Sequence, residues 1–62
     1  MKKFFLVIFE YSDNLFCTNI VRANVIEDVY EFYSQYRWFH AQSVNVCDIE
    51  AAINRGMPII EM

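Results

Sequence analysis

The chain has one glycine, Gly56, and one proline, Pro58, in 62 residues. A Gly-rich phosphate loop or a dinucleotide fingerprint needs several glycines at fixed spacing, so neither can be present. There are two cysteines, Cys17 and Cys47, and one histidine, His40, with no C-x-x-C and no paired histidines. That is too few soft ligands for a structural zinc site, which normally takes four. His40 and Cys47 lie seven positions apart in one extended segment, too far to share an ion. Nor is there a Ser/His/Asp arrangement, and the Asp48 carboxylate next to Cys47 opposes formation of a reactive thiolate. No block of like charge exceeds Glu27-Asp28. With eight acids against five bases and a net charge of -3, general attraction to nucleic acid or to an anionic membrane is disfavoured. These absences argue against an enzyme and against a bound cofactor.

The chain is rich instead in apolar and aromatic residues, with six phenylalanines, four tyrosines and one tryptophan. That composition excludes intrinsic disorder and predicts a single domain spanning 1–62. Lys2-Lys3 and the apolar run Phe4 to Phe9 imitate the start of a secretory signal. Glu10 ends the run below the about 7 to 15 residues such a signal needs, and far below the about 18 of a membrane span. The expectation is a cytoplasmic protein without a membrane segment, its two cysteines free and buried.

Periodicity and punctuation give an order of elements. Residues 3–10 read as a strand. The polar cluster Ser12-Asp13-Asn14 makes a turn in which Asn14 or Asp13 takes any left-handed position. Residues 15–23 return as a second strand, whose Thr18, Asn19 and Arg22 suggest a sheet edge. Residues 25–36 divide cleanly into an apolar arc, containing Val25, Ile26, Val29, Phe32, Tyr33 and Tyr36, and a polar arc of Glu27, Asp28, Glu31, Ser34 and Gln35, the pattern of an amphipathic helix. Asn24 and Glu27 are spaced as an Asx capping box, and Arg37 falls where the helix dipole favours a cation. Glu27, Asp28 and Glu31 on that polar arc read as solvated carboxylates, and Tyr30, Tyr33 and Tyr36 as rim residues with wet hydroxyls. Residues 38–47 form a third strand, Asp48 caps a short helix 49–55, and Gly56 followed by Pro58 stops it. Residues 59–62 add a short strand. The predicted fold is α+β, ββαβ(α)β, a two-layer domain in which a mainly antiparallel sheet of three or four strands carries one main helix on one face. A right-handed crossover gives the order 2-1-3 and centres the most apolar strand.

The successions Val25-Ile26-Glu27-Asp28-Val29-Tyr30-Glu31-Phe32-Tyr33 and Glu50-Ala51-Ala52-Ile53-Asn54-Arg55-Gly56-Met57-Pro58-Ile59-Ile60-Glu61 resemble small uncharacterised proteins carried on bacterial phages and conjugative elements. That resemblance implies a cytoplasmic accessory protein and supplies no catalytic residue.

The first strand is apolar on both faces, whereas one helix layer can bury only one. Lys2, Phe4, Leu6, Ile8 and Glu10 share a face with a charge at each end, so this face is expected to point outward. Its centre of Phe4, Leu6 and Ile8, with Trp38 as a neighbour, then forms an apolar patch for a second copy of the chain or another protein. The functional expectation is a non-enzymatic interaction module without a small-molecule substrate. The alternative is a small nucleic-acid-contacting regulator using Arg22, Arg37, Trp38 and His40, because Arg37-Trp38-Phe39-His40 mixes cation and aromatic as a stacking platform does.

Overall fold

The computed structural model of the chain describes residues 2–62. Strands β1 (Lys3–Ser12) and β2 (Leu15–Ala23) form an antiparallel hairpin, followed by helix α1 (Ile26–Tyr33), strand β3 (Phe39–Val44), helix α2 (Val46–Asn54) and strand β4 (Ile59–Glu61). The sheet order is β3-β1-β2-β4. β1 pairs antiparallel with β2 and β3, while β4 runs parallel to β2. The expected α+β class, the 2-1-3 order and the central position of β1 are all present, with β4 as the fourth strand.

Local chemistry accounts for the turns. Asn14 takes φ 57° in the β1–β2 turn and Gly56 takes φ 88° after α2, the two positions where the sequence offers residues that tolerate the left-handed region. Helix α1 is shorter than its periodicity implies. The Ser34 hydroxyl donates to the Glu31 carbonyl at 2.7 Å and Gln35 Nε2 to the Phe32 carbonyl at 3.3 Å, so side chains satisfy carbonyls of the last turn and the helix ends there. Asn24 is not the cap. Val25 occupies that position in extended conformation, without a side-chain cap bond, one residue later than the capping box requires. Asn45 likewise precedes α2, leaving Asp48 inside its first turn, where the dipole still favours the carboxylate.

The register places Phe5, Val7 and Phe9 on the same face as Val21 and Ala23. With Val29 and Tyr33 of α1 these residues form the main core, against which Ile26, Tyr36, Phe39, Ala41 and Ile60 pack. Tyr33 is the largest fully buried side chain, not a rim residue. Its ring lies 5.2 Å from Phe9, and its hydroxyl accepts a hydrogen bond from Asn19 Nδ2 at 2.9 Å, so the buried oxygen is satisfied. Burial raises the Tyr33 pKa above the ordinary tyrosine value. The Asn19 bond works against the rise, and the neighbouring Tyr36 and Cys17 add to it.

The crossovers β2–α1–β3 and β3–α2–β4 move across the sheet in opposite directions. Right-handed connections then put α1 and α2 on opposite faces, and burial agrees. Ile20 pairs with Leu6 on the face away from α1, yet both Ile20 and Ile49 of α2 are buried. The reverse face therefore has a small core of its own. β2 is an edge only over its first half, since β4 lies beside Ile20, Val21 and Arg22.

Candidate functional site

Nine residues of α-helix span about 13 Å, whereas ten residues of strand span about 33 Å. Helix α2 (Val46–Asn54) leaves the end of β3 that lies beside Phe4 and so cannot reach along the whole of β1. The part of the reverse face nearest the β1–β2 turn stays open. Phe4, Leu6 and Ile8 share this face and are half-buried. The Arg22 guanidinium lies 5.9 Å from the centre of the Phe4 ring. Trp38, whose carbonyl accepts the Glu10 backbone N–H at 3.0 Å, continues the register on the open end. Phe4, Leu6, Ile8 and Trp38 thus lie on the same sheet face, the first three half-buried and Trp38 exposed.

The open end is built around Glu10, which is only 8% exposed. Its Oε1 accepts from Arg37 Nε at 3.0 Å, and its Oε2 accepts from Arg37 Nη2 at 3.2 Å and from the Asn14 backbone N–H at 3.1 Å. This two-pronged pairing fixes the guanidinium plane and ties the turn to the segment after α1. Arg37 Nη1 also lies 3.7 Å from Asp13. Arg37 thus serves the β1–β2 turn and not the end of α1. On either side of Glu10 stand Phe16 of β2 and Trp38, their ring centres 5.7 Å apart and nearly perpendicular at 85°. They are 54% and 48% exposed, although each is large enough to be a core residue. Glu10, Phe16, Arg37 and Trp38 line one open cleft.

Sequence reasoning found Trp38 and missed Phe16 and Glu10. Phe16 pairs with Glu10, and Glu10 bonds Trp38 across the other side of β1, so only the hairpin register brings the two rings together. The one available signal was that Glu10 ends the Phe4-Leu6-Ile8 face with a carboxylate needing a cation.

The remaining candidates are dispersed. Cys17 and Cys47 are free and exposed, contrary to the expected burial. Cys17 sits on the part of β2 that β4 does not reach, and Cys47 stands in the first turn of α2 beside Asp48. Among the described residues no three His, Cys, Asp or Glu side chains gather as a metal site would require. Arg22 donates to Glu61 at 3.2 Å and Lys2 reaches the same carboxylate at 3.5 Å. The Arg22 bond, assisted by Lys2, lowers the Glu61 pKa below its ordinary value. No helix of the described residues is long and apolar enough to cross a membrane. No known protein family, curated protein or solved structure matches the chain.

Proposed function

We propose that the chain is a non-enzymatic, self-associating protein-interaction module, and that its contact surface is the open end of the reverse sheet face. The observation that carries this reading is the exposed Phe16–Trp38 pair, continuous with the half-buried row Ile8, Leu6 and Phe4. Aromatic anchors beside a rigid sheet, with a fixed charge pair between them, have the composition of an interface centre. The pairing of Glu10 with Arg37 holds the anchors in place before a partner arrives, which lowers the ordering cost of binding. Two free thiols fit a reducing, cytoplasmic setting. The resemblance of the helix and C-terminal segments to small phage and conjugative-element proteins fits an accessory role.

A nucleic-acid partner is less well supported. Arg22 and Arg37 already face carboxylates, so phosphate contacts would have to displace Glu61 and Glu10. Trp38 is the sole tryptophan and reports on the surface directly. Its acrylamide quenching should fall as protein concentration rises, and Phe16→Ser should abolish that dependence while the circular dichroism spectrum is kept. Quenching that is independent of concentration would sink self-association through this face. Salt-sensitive binding to an oligonucleotide would favour the alternative.

A further inference from the structure

The sheet ends at β3 (Phe39–Val44). Natural edge strands are guarded by lysine, proline, bulges, shortness or a covering segment. On the other side β4 follows that rule, having three residues and carrying Glu61 beside Lys2 and Arg22, and the first half of β2 that β4 leaves unpaired adjoins the register shift of the β1–β2 turn. β3 does not. Its sequence Phe39-His40-Ala41-Gln42-Ser43-Val44 contains no lysine, proline or carboxylate, and its register with β1 is unbroken.

The orientation of its backbone groups follows from one bond. Glu10 N–H donates to the Trp38 carbonyl, which marks Glu10 and Trp38 as a hydrogen-bonded antiparallel pair. Such pairs recur at every second residue. In the observed register the next are Ile8 with His40, Leu6 with Gln42 and Phe4 with Val44. His40, Gln42 and Val44 therefore direct N–H and C=O toward β1. Phe39, Ala41 and Ser43 direct theirs away from the sheet, into solvent.

We infer that this edge pairs with the β3 edge of a second copy, antiparallel and centred on Ala41, joining two sheets into one. The inference rests on the self-association reading and adds a second contact to it, the backbone edge Phe39–Ser43 as distinct from the Phe16–Trp38 face, with Trp38 at the border of both. A two-fold axis perpendicular to the sheet keeps both main cores on the same side and pairs only residues of equal parity. Centred on Ala41, it sets Ala41 against Ala41 and Phe39 against Ser43 as hydrogen-bonded pairs. Every outward N–H and C=O from Phe39 to Ser43 is then satisfied at once, which centring on Gln42 does not achieve. The side chains agree with that register. A large Phe39 meets a small Ser43, His40 meets Gln42, and the exposed Trp38 meets Val44. No like charges are opposed, as an isologous contact demands. A chance peptide would supply the backbone bonds without this matching.

Sedimentation equilibrium of the full chain over a range of concentrations tests the pairing. The mass should rise from 7.4 kDa toward twice that value. His40→Lys with Gln42→Lys places lysine opposite lysine and should raise the dimer dissociation constant at least about tenfold, or about 1.4 kcal/mol. His40→Glu with Gln42→Lys places unlike charges opposite and should dimerise at least as tightly as wild type. Centring on Gln42 would instead oppose two lysines, so dissociation of this second variant overturns the register. Both variants carry their changes on exposed side chains, and circular dichroism checks that each is folded. A dimer that ignores both edge variants but is lost in Phe16→Ser would overturn edge pairing and leave the face reading intact. The reverse pattern would retain edge pairing and remove the face. A wild-type chain that stays at 7.4 kDa throughout overturns both.

Discussion

The two faces of the sheet contain similar residues and end in different states. Phe5, Val7 and Phe9 are all buried on the face that α1 covers, whereas Phe4, Leu6 and Ile8 one position away on the reverse face are only half-buried. Side-chain hydrophobicity does not separate the two rows. What separates them is the helix available to each. Helix α1 brings Val29 and Tyr33, with Tyr36 following it, so that an aromatic cluster closes over Phe9, with Tyr36 only 4.6 Å from its ring. Helix α2 brings Ile49, Ala52 and Ile53, of which Ile49 alone is buried. A strand that is apolar on both faces therefore need not be covered equally on both.

The sharpest way to break this comparison is to make the same substitution on both faces of β1. Phe9→Ala should cost about 3–5 kcal/mol, because it empties the centre of the aromatic cluster. That approaches the whole stability of a domain this small. Phe4→Ala should cost less, about 1–2 kcal/mol, since that ring is only partly buried. Urea melts that show equal losses would mean that the reverse face is a full second core. Ile49→Ala comes next, at about 2 kcal/mol, toward the low end for a buried isoleucine because half-open surroundings can relax. Hydrogen exchange should show faster exchange of Ile20 in this variant, while Val29 is unaffected. If Ile20 is unchanged, α2 does not cover it.

Arg37→Ala tests the open end of the reverse face. Glu10 would keep only the Asn14 N–H as a partner, and a buried carboxylate that loses its two-pronged donor should cost about 1–2 kcal/mol. The loss is held down by the exposure of Arg37. Thermal melts of Arg37→Ala and Glu10→Gln, alone and combined, should show non-additive losses. Strict additivity would mean that the pair contributes nothing of its own.

The covered side of the molecule was legible in the sequence and the open side was not, for a physical reason. The apolar arc of the helix, the apolar run of β1 and the turn residues Asn14 and Gly56 are local signals, and the structure contains each of them, although the helix spans Ile26–Tyr33 and not the whole of 25–36. Val29 and Tyr33 could be placed on the apolar arc of the helix from spacing alone. Tyr33 was misjudged as a rim residue because its partner, Asn19, lies on another strand, and the sequence does not announce that a hydroxyl will be satisfied at a distance. Glu10 and Arg37 are 27 positions apart, and Phe16 meets Trp38 only through the registers of two strand pairs. The cysteines were expected inside on residue type, but where β4 ends decides the exposure of Cys17. Contacts set by register and by helix length are properties of the assembled sheet, and they define the candidate surface.

The Tyr33 hydroxyl gives the comparison a pH dependence. Burial favours its neutral form, so the folded-state pKa lies above that of the unfolded chain, about 10. Stability that is fully present below about pH 10 should then be lost as pH rises through the folded value, since the unfolded chain releases the proton first. Tyr33→Phe should cost about 1 kcal/mol at neutral pH by leaving Asn19 without its acceptor. It should also flatten this part of the alkaline decline. An unchanged alkaline slope would assign the decline to other groups.

The smallest expected effect is the most informative about function. Phe16→Ser removes a large aromatic side chain, but one that is already more than half in water and packs edge-on against Trp38 alone among the aromatic rings. Its thermal stability should stay within about 0.5 kcal/mol of wild type, as for a surface position. A core phenylalanine on the other face would cost several times more. Trp38 emission should shift to longer wavelength as its neighbour is lost, with the melt unchanged. If Phe16→Ser is as damaging as Phe9→Ala, the two rings hold the fold together and the open end of the sheet is a second core. If the melt is unmoved while concentration-dependent shielding of Trp38 disappears, the rings serve association and contribute little to stability.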